Sequence, residues 1–320
     1  MGKRTVDRQV RRTLAYVLLL ALALGIPYIA PNTYYLQVII MGFILAIGTY
    51  GLNLILGYTG QLSLAHAGFF GIGAYLSGLL TLKIGVSFWL ALPVASLGAS
   101  FLGALTGLVS FRTRGHYFAI FTLSIGVIIN LVIEKWDSVT GGVRGLIGIP
   151  APSNLGPVSF DSVQTQYYLV LAFLLLTVLV ISRVVHSLVG RTFVSVRSSE
   201  ELAATIGINV MGTKLLSFAI ATFLAGMAGA LYAGYIRFIG PEVSHLNLTF
   251  DFLLYLLVGG QGTIAGPLLG SLLVSGITEG LQFLQEYRMV IFGPLLVVIV
   301  KFFPWGLAGG AQRLWEALKG

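Results

Sequence analysis

The chain has no cysteine among its 320 residues, and charged side chains make up only 9% of it. The first absence excludes a disulfide framework, a thiolate metal site and a cysteine nucleophile. It also leaves the redox compartment unreadable from sequence. The second absence is more informative. A soluble domain normally carries about 25% charged residues, whereas a surface facing lipid needs none. With 57% hydrophobic residues and a mean hydropathy of +0.93, the composition is that of a polytopic membrane protein.

Sequence signatures of chemistry are also scarce. No G-x-x-x-x-G-K-[ST] loop occurs, and the only Gly-Lys pair is Gly2-Lys3. ATP binding through a Walker loop therefore has no support in this polypeptide. His66, His116, His186 and His245 are scattered without an H-E-x-x-H spacing, and there is no G-x-S-x-G. No catalytic, cofactor-binding or metal-ligating residue is expected. A carrier driven by an ion gradient typically buries ionisable groups within its spans. Here the acids and bases fall almost entirely at span ends, with His66 the clearest exception and Glu279 near one end. The energy source is expected in a partner, although an ion-coupled secondary carrier stays open because sodium is held by backbone carbonyls in some carriers.

What the chain does have is glycine, 41 residues of it, and a net charge of +8. The positive charge sits in short clusters between apolar runs rather than on one face of a domain, which argues against nucleic acid. A basic head (Lys3, Arg4, Arg8, Arg11, Arg12) precedes the apolar run Leu14–Ala30. No small-residue cleavage site is obvious there, so this run is expected to be retained as a first span.

A hydrocarbon core of about 30 Å needs roughly 20 apolar residues per helix. Candidate spans are 14–30, 36–56, 62–82, 88–110, 117–134, 167–186, 214–236, 250–260, 263–279 and 287–303. The expectation is an all-α integral membrane protein forming one transmembrane domain over 1–320, with about ten helices (eight to ten) and membrane domain 14–303. Residues 250–279 read either as one long span or as two short ones broken at Gly259-Gly260-Gln261-Gly262. Placing both termini inside puts most lysines and arginines on the cytoplasmic side, in the tail 1–13, at Arg112/Arg114, in Arg183–Lys214 and toward the tail 304–320, as the positive-inside rule requires.

Two connections are long. The outer one, 135–166, is rich in Gly and Pro and carries Trp136, an interfacial anchor type. The inner one, 187–213, contains Ser198-x-x-Glu201, a capping-box pattern. It predicts a short helix Ser199–Ile206 stopped at Gly207, a residue that readily takes the left-handed C′ conformation. Such a helix is either a docking element for another protein or a solvated connector.

The stretch Leu52–Tyr75 sets Asn53, Thr59, Gln61, Ser63 and His66 among Gly57, Gly60, Gly68, Gly71 and Gly73. A second polar break is Gly259-Gly-Gln-Gly-Thr263, and both share G-x-x-G-x7-G (Gly57, Gly60, Gly68; Gly259, Gly262, Gly270). Paired broken segments in the two halves of a chain point to a transport path. The competing reading is close packing at small residues, with satisfied polar side chains. For His66 alone the second reading, an interhelical hydrogen bond, is favoured.

At these residues the sequence resembles the inner-membrane permeases of high-affinity branched-chain amino acid ABC importers (the LivH/LivM type). The likeness runs from about Leu36 to Gly309. It is carried by Gly51–Tyr75; by Arg114-Gly-His-Tyr-Phe-Ala, Thr140-Gly-Gly-Val-Arg-Gly-Leu146 and Gly148-Ile-Pro150; by Glu200–Asn209 with Ala225–Tyr232; and by Gly259–Gly270. Arg114-Gly-x-Tyr-Phe-Ala and the T-G-G…G-I-P loop are more similar to the M-type than to the H-type subunit. One departure is Gly126-Val-Ile-Ile-Asn130, which lacks a charge often found there in the family. Permeases for urea or short amides are close relatives that share much of the first and third segments.

The resemblance implies a non-catalytic subunit in the bacterial cytoplasmic (inner) membrane. Its partners would be a second permease, two cytoplasmic ATPases that bind the ATP, and an external solute-binding protein. Ser198, Glu200, Glu201, Ala203, Ala204 and Gly207 would form the coupling helix. Asn53, Gly57, Gly60, Gln61, Ser63, His66, Gly259 and Gly262 would line the translocation path.

Overall fold

The fold is that of a computed structural model, in which residues 21–29, 32–113, 115–280 and 306–310 are described. The basic head, residues 14–20 and 30 of the first span, Arg114, the span 287–303 and most of the tail 304–320 lie outside these residues.

The described chain is helical almost throughout. Residues 21–29 form α1. Asn32 caps α2 (Thr33–Leu52) by accepting from the Tyr35 N–H at 3.3 Å. A π-helical turn, Asn53–Tyr58, continues α2, and Gly60 (φ 77°) then turns the chain out of the helix. It stays non-helical until α3 (His66–Leu82) begins. The expected span 62–82 therefore starts four residues late. The next helices are α4 (Phe88–Ser110), α5 (His116–Lys135), α6 (Asp137–Thr140), α7 (Val163–His186), α8 (Leu188–Ser198), α9 (Glu200–Thr205), α10 (Val210–Ile236), α11 (Leu246–Gly259) and α12 (Gly266–Gly280).

Among the described residues, five segments are long and apolar enough to cross a membrane: Thr33–Tyr58, Phe88–Ser110, His116–Lys135, Val163–His186 and Val210–Ile236. Each falls on an expected span. Residues 250–279 do not form one long span: α11 ends at Gly259, and α12 starts at Gly266 and packs against it.

The centre is α10, which packs on α2, α3 and α4. Backbone meets backbone there because the contact residues have no side chain. A Cβ on Gly229 would lie 2.8 Å from Ala74 N, and one on Gly73 would run into the Gly226 backbone. Lipid supplies no hydrophobic drive between helices, so such close approach is what holds a membrane bundle together. Around this centre, α2 is flanked by α7 and α12. The Tyr167 and Tyr168 hydroxyls donate to Ala23 O and Leu24 O, binding α1 to α7. The outward faces of α4 and α5, with Leu97, Phe101, Tyr117 and Ile120, are exposed and apolar.

The connection 135–166 is pinned, not loose. Strand β1 (Leu146–Ile147) pairs antiparallel with β2 (Phe238–Ile239), which follows α10. Trp89 Nε1 donates to Ser153 O at 2.8 Å, fixing the loop to the start of α4. After β2, a 3-10 turn at Pro241–Ser244 leads into α11.

The connection 187–213 holds two helices, not the single one expected. The capping residue is also corrected. Ser199, not Ser198, caps α9 by accepting from the Leu202 N–H at 3.3 Å. Ser198 is the last residue of α8, where its hydroxyl donates to Val194 O at 3.0 Å. The helix before it uses that serine, so the box reaching from Ser198 to Glu201 does not form.

Candidate functional site

Two interruptions, one in each half of the chain, close on each other. Asn53 opens the π-turn and is fully buried. Its Nδ2 donates to Thr263 O and its Oδ1 accepts from the Gly262 N–H, both at 2.8 Å. Tyr50 OH donates to Ile264 O at 2.8 Å. The second interruption is shaped by Thr263, whose hydroxyl donates to Gly260 O and accepts from the Gly266 N–H. Backbone released from helices at membrane depth is satisfied here by protein, as it must be.

The glycines that looked alike in sequence do different work. Gly57 lets the segments touch, since a Cβ there would sit 2.6 Å from Gly262 N. Gly262 has φ 73° and Gly60 φ 77°, so both make left-handed turns. Gly259 is a packing glycine: a Cβ on it would lie 2.6 Å from the Gly266 carbonyl carbon and 3.0 Å from Gly270 N.

His66 Nε2 lies 2.8 Å from Gly48 O, and the imidazole packs edge-on against Phe252 at 5.3 Å. The ring is buried. This is the interhelical hydrogen bond favoured from the sequence. Ser63 is buried, and its hydroxyl has no partner among the described residues. The start of α3 is held from two sides. Thr122 Oγ1 accepts from the Leu64 N–H at 3.0 Å, and Thr249 Oγ1 accepts from the Ala67 N–H at 3.1 Å.

The first interruption is wired to α8 and α9. Arg197, near the end of α8, donates through Nη1 to Gly57 O. Gln61 Nε2 donates to Glu200 Oε1 at 3.2 Å. The same carboxylate oxygen pairs with Lys214 of α10, whose side chain is only 3% exposed and lies over the Phe111 ring. Gln61, Glu200 and Lys214 thus form one polar cluster joining the break, α9 and α10.

Helix α9 itself stands out from the body. Only Ala203 of its six residues is buried, while Glu201, Leu202 and Ala204 face outward. Leu202 is 69% exposed and Ile206 is 73% exposed. The helix ends as expected at Gly207 (φ 86°). The Ile208 N–H donates to Ala203 O and the Gly207 N–H to Ala204 O, the paired bonds of a Schellman stop. Among the predicted residues, Asn53, Gly57, Gly60, Gln61 and Gly262 therefore come together with Glu200. Ser198, Ser63, His66 and Gly259 take no part in that cluster. Sequence reading missed Arg197 and Lys214. Arg197 could have been found by the spacing Gly190, Phe193, Val196, which gives α8 one buried face.

The family model described as "Branched-chain amino acid transport system / permease component" matches residues 34–300. The chain belongs to that family. It is 32% identical to the high-affinity branched-chain amino acid transport system permease protein LivM of Escherichia coli K12, over 93% of this chain and 75% of that protein. LivM of Salmonella typhimurium is 31% identical over the same shares. LivH of Salmonella typhimurium is 25% identical over 86% of this chain and 96% of its own length. The higher identity to both LivM proteins makes the chain LivM-type. No solved structure matches it.

Proposed function

We propose that this chain is the LivM-type permease subunit of an ATP-driven importer, and that it carries leucine, isoleucine and valine across the bacterial inner membrane with a second permease. Two cytoplasmic ATPases bind and hydrolyse the ATP, and an external solute-binding protein delivers the substrate. The chain itself holds no cofactor and performs no catalysis.

The observation that carries this reading is the wiring of α9. A short helix that exposes Leu202 and Ile206 outside the long apolar helices has surface to bury against a protein partner. Through Glu200 it reaches Gln61 and Lys214, and the preceding α8 reaches Gly57 through Arg197. Nucleotide-driven movement of the partner would tug on the break that meets Gly262. Alternation then becomes a shift between two packings of helices. In this orientation α8, α9 and both chain ends are cytoplasmic, and residues 135–166 face outward.

The test is affinity purification of the tagged chain from its native membrane, followed by reconstitution. Recovery with a second permease and two ATPases, and ATP-dependent leucine uptake in the presence of the binding protein, is the expected result. Glu201→Arg and Gly207→Val should release the ATPases. Uptake of urea in place of leucine would move the substrate to the short amides. Solute movement by the chain alone, driven by an ion gradient, would sink the reading.

A further inference from the structure

A cavity of about 190 Å³ lies between α5, the start of α3 and the start of α11. Gly126 in its wall is half-way along α5, and Leu64 in its floor immediately precedes α3. It therefore sits at mid-depth of the helices that cross the membrane. A cavity of about 150 Å³ in another protein admits benzene, so this one accommodates a small solute.

Its lining is divided. Leu64, Leu123 and Val127 form an apolar wall, and Asn130, Asn247 and Thr249 bring polar groups. The Asn130 amide is oriented by its neighbours. Nδ2 donates to Pro241 O at 3.1 Å and to Ser244 Oγ at 2.8 Å, and the Ser244 hydroxyl in turn donates to Pro241 O. Both neighbours accept, so Oδ1 is left as an acceptor without a partner among the described residues. Opposite lies the first turn of the 14-residue α11, which has no side-chain cap. The Leu248 N–H donates to His245 O, whereas the N–H groups of Leu246 and Asn247 have no acceptor among the described residues. Free N–H groups with the helix dipole behind them favour an anion.

We propose that this cavity is the chain's half of the substrate site, and that it takes a zwitterionic amino acid. The α-carboxylate sits at the N–H groups of Leu246 and Asn247, and the α-ammonium at Asn130 Oδ1. A branched aliphatic side chain lies against Leu64, Leu123 and Val127. The proposal rests on the importer reading above and adds a location to it. Val127 and Asn247 are exposed, so the cavity opens sideways past α5 and α11. Lipid cannot satisfy an amide there, and the second permease supplies the missing wall.

The complete importer in proteoliposomes tests this through two readouts. Asn247→Asp places a like charge beside the carboxylate position, and leucine uptake should fall at least about tenfold. Acidic residues stabilise a helix start, so this variant does not threaten the fold. The chain has no cysteine, so Val127→Cys supplies a single thiol in this subunit. Leucine at about twice its dissociation constant should slow alkylation of that thiol about threefold. In an importer that carries leucine, full uptake by Asn247→Asp or an unprotected thiol overturns the assignment. A wild-type importer that carries no leucine overturns the parent reading and this one with it.

Discussion

Asn53 and Gly262 are 209 positions apart in the chain and joined by a hydrogen bond of 2.8 Å. The other end of the same carboxamide holds Thr263 O at the same distance. One side chain therefore satisfies a donor and an acceptor on a backbone that has left its helix. Replacing it with alanine leaves both groups unpaired, at about 1–3 kcal/mol each. Asn53→Ala should lower the melting temperature of the purified protein by several degrees. Asn53→Asp should do so too, because a carboxylate would face the Thr263 carbonyl. Unchanged melting in both variants would show that this bond contributes little.

Lys214 is buried and depends on Glu200 for its counter-charge. Removing one member of a buried pair costs about 3–5 kcal/mol, whereas replacing both is often neutral. Glu200 keeps 27% of its side chain in solvent, so the lower end of that range applies. Glu200→Ala alone should destabilise strongly, and Glu200→Ala with Lys214→Met should recover most of the loss. A thermal double-mutant cycle reads this directly. An additive cycle would mean that the two side chains are not coupled.

Glycines on different faces should respond in opposite directions. A Cβ on Gly229 would press on the Phe70 and Ala74 backbone, so Gly229→Ala should reduce the yield of folded protein. Gly276 in α12 has nothing within 4 Å of its Cβ position. Gly276→Ala should raise stability by about 0.4–1 kcal/mol through chain entropy alone. The comparison needs only expression yield and melting temperature, and equal effects would contradict the packing described.

Arg197 holds Gly57 O from outside the helix that contains it. Arg197→Ala should leave the importer assembled and hydrolysing ATP, while leucine transported per ATP falls several-fold. That is the scale of about 0.5–2 kcal/mol seen for residues along a coupling route. Dissociation of the ATPases, or normal transport stoichiometry, would remove Arg197 from that route.

Much of this architecture was legible because membrane spans declare themselves by composition. The expected span 88–110 coincides with α4, and Gly207 ends α9 where a left-handed residue was required. The cap of α9 was misread by one residue because Ser198 and Ser199 are adjacent, and only the end of α8 decides which hydroxyl is free. The breaks were visible as polar residues among glycines. Their partners were not, because Asn53, Arg197 and Thr263 come from three distant segments. Nor was Asn130 recognisable as a cavity residue: its role depends on where Pro241 and Ser244 return to meet α5.

The mutual closure of the two interruptions also sets an order of events during synthesis. Asn53 and Tyr50 leave the ribosome some 210 residues before Thr263 and Ile264, and Ala67 precedes Thr249 by 182. The first break therefore enters the bilayer with its polar groups awaiting partners that do not yet exist. Chains folding from the N-terminus meet the insertion machinery in that state. A premature stop before Gly260 should leave a truncated product marked for proteolysis, since Asn53 and Tyr50 would lack the backbone groups of Gly262, Thr263 and Ile264 that satisfy them.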